Sequence, residues 1–437
     1  MTSTVRRAGA FAALSTLSLA VPLVGPAPAA PIAAVVLAGV IAVRDGPLFD
    51  LFAYPGDYED ERLYGLATFV LAAAALGLLA AAFGLPIPVF VAAVVLVGYG
   101  NLAAVAAGDR TDRDVAPAVA FCLGGATAAV AGQTLARWLL AAPVEPALPL
   151  VVFVATSAGL LGALLRDVLT PYDDPIVMLA VGLLAWLLAG FEPVVGTVEI
   201  AGALAVTAAV GYAAVALGAA SVAGMLTGTL LALLTIVLGG YSWFAVLMAF
   251  FGIGSVSTKF RYEEKRSRGI AQENDGARGS SNVLANSAVA LAAVLGYAAG
   301  SADLLPVPPD PFLFAFAGSL ATALSDTLSS EVGGVFDTPR LITTLKPVDP
   351  GTDGAVTWQG ELAGIAGAAA VAGIVYALFP TVGGAGAAVV VVAGVVGMTV
   401  DSLLGATIEG GAVGNQGVNF LATLSGALVG ALAVFVF

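Results

Sequence analysis

Apolar runs of about 17–25 residues, the length an α-helix needs to cross a bilayer, recur along nearly the whole 437-residue chain. No soluble core could take in that much apolar surface: 59% of the residues are hydrophobic, only 10% are charged, and the mean hydropathy is +1.00. The alternating pattern of barrel strands is absent, and Ala, Leu, Val and Gly dominate. The spans are therefore helices, whose backbones satisfy their own hydrogen bonds in lipid. The chain reads as an all-α, polytopic transmembrane bundle. About fifteen spans are predicted, near 8–24, 29–43, 64–83, 85–107, 115–138, 148–165, 175–191, 199–219, 221–237, 239–254, 281–301, 311–327, 360–379, 381–403 and 417–437. The opening stretch MTSTVRRAGAFAALSTLSLAVPLVGPAPAAP has the form of a signal peptide, but a first span or signal anchor fits the alternation better.

Basic residues give an independent test of that count, because cytoplasmic loops carry an excess of Lys and Arg. With Arg6 and Arg7 inside, strict alternation puts Arg44, Arg62, Arg110, Arg113 and Arg166 on the same side. The residues from Lys259 to Arg278, with Arg340 and Lys346, follow them; Arg137 alone falls outside, at a helix end where it can snorkel. The expected orientation is N-terminus in and C-terminus out, in the cell membrane.

Composition also excludes chemistries. A net charge of −13 with three lysines argues against a nucleic-acid partner. The acidic excess, with Arg preferred to Lys, fits an archaeal-like acidic proteome in a salty cytoplasm. A lone cysteine, Cys122, rules out an internal disulfide or a thiolate cluster, and the absence of histidine rules out imidazole chemistry. What remains is carboxylates, Lys, Arg, hydroxyls, amides or a hard metal ion.

Three polar segments are predicted to share the cytoplasmic face: 255–280, 325–354 and 401–419. The first holds KFRYEEKRSRGIAQENDGARGSSNVLANS, with six of the sixteen basic residues. Its Lys265, Arg266 and Arg268 could serve only as topology anchors or lipid grips. In NDGARGSSN, Gly276 and Gly279 flank Arg278, and Ser280 or Ser281 could cap the next helix, an arrangement suited to phosphate. It is not a Walker A loop. Asn282 and Asn286, four apart, share a helix face, as do Asn415 and Asn419.

Asp326 ends an apolar span, where an ionisable side chain is costly and suggests function. Ser330 and Glu331 follow it. Asp401 repeats the pattern, followed by Glu409. Carboxylates beside hydroxyls suit Mg²⁺, which makes Asp326, Asp401 and Glu331 candidate ligands, although each could simply cap a helix. Arg340 and Lys346 could neutralise transferring phosphates.

The motifs GARGSSNVLANS, SDTLSSEVG, PRLITTLKPVDPGTDGAVTWQG, VDSLLGATIEG and VNFLATLSGAL occur in order. They resemble those of a family of integral membrane proteins catalogued as a domain of unknown function, whose best-understood member is the chloroplast phytyl-phosphate kinase of vitamin E synthesis. The resemblance covers residues 195–437 and implies a motif-bearing C-terminal domain after an N-terminal domain, 1–194. It places Arg278, Asn282, Asn286, Asp326, Ser330, Glu331, Lys346, Asp401 and Asn419 in motif positions. In the N-terminal part, GYGNLAAVAAGDR and LLRDVLTPYDDPIVMLAVGLLAWLL faintly resemble dolichol and phytol kinases and membrane cytidylyltransferases. Asn101 stands where those families have Asp and Pro175 where they have Asn, so this half reads as a decayed copy or as unrelated.

The expected function is therefore transfer of a phosphoryl group from a nucleoside triphosphate, such as CTP, to an isoprenoid monophosphate. Asp326 and Asp401 would hold Mg²⁺, and Arg278 and Lys346 would act on the phosphoryl group. A CTP-dependent cytidylyltransferase making a CDP-lipid and a transporter of a lipid or small polar solute are the alternatives. Cysteines introduced at 260–275, 340–352 and 408–415 should all react with an impermeant thiol reagent from the cytoplasmic side only. Labelling of any one set from outside would refute the shared face.

Overall fold

The computed structural model describes residues 3–27, 29–169, 174–269, 279–411 and 413–436. Helices occupy all fifteen predicted segments. Thirteen are long and apolar enough to cross a membrane; Asp174–Gly190, with 17 residues, and Ala29–Ala42, with 14, fall short of that length. The chain is an all-α membrane protein. Its helices form two compact units, Met1–Ala205 and Val206–Phe437. The divide falls inside the Thr197–Ala216 helix, about ten residues beyond the 194/195 boundary expected from the sequence.

In the first unit, Ile87–Gly108 is the buried hub, packed against Thr4–Ser15, Val115–Leu139, Leu148–Val168 and Asp174–Gly190. Its polar residue Asn101 is 6% exposed. The Asn101 amide donates to Asp174 Oδ1 at 2.8 Å and accepts from the Arg166 guanidinium, which lies 3.7 Å from Asp174 and over the Phe121 ring. These three groups satisfy one another, as buried polar groups must. Pro175 follows Asp174 within the first turn of its helix, whereas Asp173 lies outside the described residues.

The second unit is built around Asp310–Gly333, packed against Tyr241–Thr258, Ser280–Ser301, Trp358–Leu378, Gly384–Gly405 and Asn415–Ala433. Lipid offers no hydrophobic drive for helices to associate, so they pack through small residues that let backbones approach. Three of the five neighbours turn glycines on the backbone and small residues of the hub. Gly364 and Gly367 of the Trp358 helix lie against the carbonyls of Ser325 and Leu324; Gly394 of the Asp401 helix faces Ala321, and Gly397 faces Thr322; Gly426 and Gly430 of the last helix face the carbonyls of Gly318 and Phe314. A Cβ on Gly318 would come within 2.5 Å of the Gly426 oxygen. Thr322 ties the seam laterally, its hydroxyl donating to Ala393 O at 3.2 Å.

Outside the helices, Arg340–Leu341 pairs antiparallel with Ala355–Val356, Arg340 opposite Val356. Thr357 then caps the next helix, its hydroxyl accepting from Gly360 N at 3.1 Å. The seam predicts a contrast between two glycines. Gly318→Val should cost about 1–3 kcal/mol or more, the usual penalty of overpacking. Gly373→Val, at a position where a Cβ meets nothing within 4 Å, should change stability little. Thermal unfolding in detergent measures both, and equal losses would remove the seam as the organising contact.

Candidate active site

A polar cavity of about 340 Å³ opens at the end of the hub where Asp326 lies, and all three polar segments meet there. Asp326 directly follows Ser325, whose carbonyl lies against Gly364, and Asp401 sits four residues before the end of its own helix at Gly405. The glycine seam sets these two helices side by side, so their carboxyl groups come into hydrogen-bond contact. Among the described residues, Asp401 Oδ1 is nevertheless buried without a hydrogen-bond partner. Two facing carboxyl groups cannot both carry charge without a proton or cation between them.

A second acidic pair lies nearby, with Glu409 beside Asp353 and the Asn415 amide bonded to Glu409. Burial, and then the Asp353 charge, hold the Glu409 carboxyl above its ordinary 4.5, while the Asn415 hydrogen bond pulls the other way. Asp353 reaches this position through Gly354, which has a φ of +71° and where a Cβ would come within 2.5 Å of Ala406 N and Ser402 O, leaving no room for a side chain. Positive φ at so close a contact suits only glycine.

The third charged group is an ion pair. Lys265 is 2% exposed and Glu331 6%. Lys265 Nζ donates to Glu331 Oε2 and to Thr258 O, the latter at 2.8 Å. The positive-φ residue Arg261 begins the short helix Tyr262–Ser267 that turns Lys265 inward. Lys265 is the one Lys or Arg among the described residues lining the cavity, against five carboxylates: Asp326, Glu331, Asp353, Asp401 and Glu409.

The residues singled out in the sequence are distributed as follows. Asn282, Asn286, Asp326, Ser330, Glu331, Asp401, Asn415 and Asn419 all line the cavity. Asn286 donates to Asn282 O at 3.0 Å, Asn419 to Asn415 Oδ1 at 3.4 Å, and Ser330 to Thr327 O at 3.1 Å. Glu331 is committed to Lys265, and among the described residues no three carboxylates gather closely enough to share a metal ion. The expected trio of Asp326, Glu331 and Asp401 is therefore not gathered as a set, and only Asp326 and Asp401 face each other. Arg340 and Lys346 lie away from the cavity lining: Arg340 is exposed and donates to Leu345 O at 2.7 Å, and Lys346 is exposed at the turn beyond it. Ser280 and Ser281 are not caps, because the helix already includes them and its cap is Gly279, with no side-chain bond. Gly276 and Arg278 lie outside the described residues.

Sequence reasoning passed over Lys265, which resembles its solvated neighbours in the EEKRSR run. Asp353 was also missed, although the turn signals Asp-Pro-Gly and Asp-Gly around it show that the chain doubles back there.

Residues 205–427 match the model of the family "Integral membrane protein DUF92". This chain is a DUF92 protein. An uncharacterized membrane protein of Methanocaldococcus jannaschii is 32% identical over 220 residues, covering 48% of this chain and 83% of the relative. Another, from Synechocystis, is 34% identical over 194 residues, 44% and 73% of the two chains. The chloroplastic protein VTE6 of Arabidopsis thaliana is 36% identical over 148 residues, 33% of this chain and 43% of VTE6. No solved structure matches. The whole cavity, from Lys265 to Asn419, falls within the DUF92 match.

Two measurements follow from these charges. Lys265→Met strands a buried carboxylate and should cost about 3–5 kcal/mol, whereas the double variant Lys265→Met/Glu331→Leu should recover most of that loss. Equal destabilisation of single and double variants would show that the two residues are not coupled. The second concerns pH. Because the Glu409 carboxyl is raised in the fold, its contribution is complete below the unfolded value of 4.5 and is lost as pH rises through the folded one. In chelator, the melting temperature should therefore fall from pH 5 toward 8 more steeply in the wild type than in Glu409→Gln; parallel curves would refute this.

Proposed function

We propose that this protein transfers the γ-phosphoryl group of a nucleoside triphosphate to an isoprenoid monophosphate at the membrane surface. The observation that carries the reading is the charge of the cavity. Among the described residues, five carboxylates and one ammonium line it, a balance that favours a triphosphate arriving with divalent cations. The Asp326–Asp401 pair, with the buried and unpaired Asp401 Oδ1, fits Mg²⁺, which takes one or two carboxylates along with substrate phosphates. When bound, Mg²⁺ would neutralise the β- and γ-phosphoryl oxygens.

The chain's own groups would divide the remaining work. Asn282, Asn286, Asn415 and Asn419 offer uncharged donors to phosphate oxygens without adding to the cavity's charge, and Lys265 supplies its single ammonium. In the step itself, an acceptor phosphate oxygen forms a bond to the γ-phosphorus. The bond to the β,γ-bridging oxygen breaks, releasing a nucleoside diphosphate and an isoprenoid diphosphate. A monophosphate acceptor is largely ionised at neutral pH, its second pKa being about 6. Its attacking oxygen therefore needs no general base, in keeping with a chain that has no histidine.

The resemblance to the phytyl-phosphate kinase family and the similarity to VTE6 support the same reading. A transporter is disfavoured because transporter sites lie near the bilayer midplane, whereas this cavity lies where helices end. Incubation of the protein in nanodiscs with farnesyl, geranylgeranyl and phytyl monophosphates and radiolabelled Mg–CTP, Mg–ATP or Mg–UTP tests the proposal. Label should pass to a lipid diphosphate. Asp326→Asn and Asp401→Asn should each lower kcat about 100-fold or more with unfolding unchanged. If no acceptor is labelled with any nucleotide, the proposal fails; near-normal turnover in either variant removes that residue from the metal site.

A further inference from the structure

A second cavity, of about 270 Å³, lies in the same unit between Thr197–Ala216, Val222–Gly239, Tyr241–Thr258 and Ser280–Ser301. Its walls are almost wholly apolar, with Met225, Leu247, Met248 and Phe251 among them. It occupies one end of these helices only: the first half of Val222–Gly239 and the second half of Tyr241–Thr258 line it, along with Val283 near the start of Ser280–Ser301. That is the end at which Lys265 bonds to Thr258 O and Asn282 lines the polar cavity. The apolar and polar cavities thus adjoin through two shared elements. Ser255 lines one and Thr258, a turn further on, anchors the lysine of the other; Val283 lines one and its neighbour Asn282 the other.

Two glycines keep this space clear. Gly228 and Gly252 stand on different helices, both line the cavity, and a Cβ on either would meet nothing within 4 Å. Half of its eighteen lining residues are Gly or Ala. Such walls leave lateral room that a straight chain would not fill and methyl branches would.

The geometry points to this cavity as the seat of the substrate's isoprenoid chain, holding it beside Phe251 and Met248 while its phosphate reaches past Lys265 to Asp326 and Asp401. The inference rests on the proposed phosphotransfer to an isoprenoid monophosphate, and it adds where the chain lies and what limits its length.

A farnesyl monophosphate analogue with a diazirine on its terminal isoprene unit tests it. After irradiation in nanodiscs, adducts should map to residues 225–232 and 247–252. Gly228→Leu/Gly252→Leu should cut that labelling about fivefold. It should also raise KM for farnesyl monophosphate about tenfold, with kcat and the KM for dimethylallyl monophosphate unchanged, the pattern of lost uniform binding. Met248→Trp narrows the same space from a third position and should act in the same direction. Adducts mapping elsewhere would overturn the seat. Equal labelling by a straight-chain alkyl phosphate with the same diazirine would overturn its isoprenoid character. Wild-type protein that is labelled at these residues but transfers no phosphoryl group would instead reject the kinase reading and leave the seat standing.

Discussion

Close approach of glycine faces to one helix is the contact on which the second unit depends. Inside a bilayer, apolar side chains gain nothing by leaving lipid for protein, so association rests on van der Waals packing and occasional lateral hydrogen bonds. The hub helix Asp310–Gly333 meets glycines on three sides, with Thr322 bonded across to Ala393. This tight seam serves chemistry at its end. At this end of the seam the chain has Asp326, Thr327, Ser329, Ser330 and Glu331 within six residues, all lining one cavity. The rigid part of the helix thus positions the reactive part, and Asp401 is held opposite by the same packing.

Much of this was legible in the sequence, for identifiable reasons. Span lengths follow from bilayer thickness, so all fifteen helices could be found; the two short ones match their expected bounds to within one residue but fall short of a spanning length. Asp326, Asp401 and the asparagine pairs stood out because polar groups at the ends of apolar runs are costly and need a cause. What could not be read was pairing between segments distant in sequence. Lys265 and Glu331 are 66 positions apart, and nothing local distinguishes Lys265 from Arg266 beside it. Arg340 and Lys346 failed in the opposite sense: their motif is genuine, but the ribbon uses Arg340 to bond its own turn and leaves Lys346 outside.

The two units treat buried polarity differently. In the first, Asn101, Arg166 and Asp174 close on one another, so the network is nearly neutral and needs no further partner. In the second, carboxylates face carboxylates, and Asp401 Oδ1 has none. A satisfied network fixes a fold, whereas an unsatisfied one invites a ligand. Asn101 in place of a carboxylate is what allows the first arrangement, since its amide can donate to Asp174 and accept from Arg166 at once.

The imbalance of charge in the cavity has a wider consequence. The five carboxylates around one ammonium among the described lining residues behave as a small ion exchanger, because electroneutrality attracts mobile cations to such a pocket whenever its own charges are unmatched. If the proposed metal–nucleotide complex loads there, it displaces those counterions rather than entering empty space. Part of its driving force is the entropy of the ions set free, as it is when proteins neutralise the phosphates of a nucleic acid. Apparent affinity for the proposed complex would then depend on the monovalent salt in which the protein works.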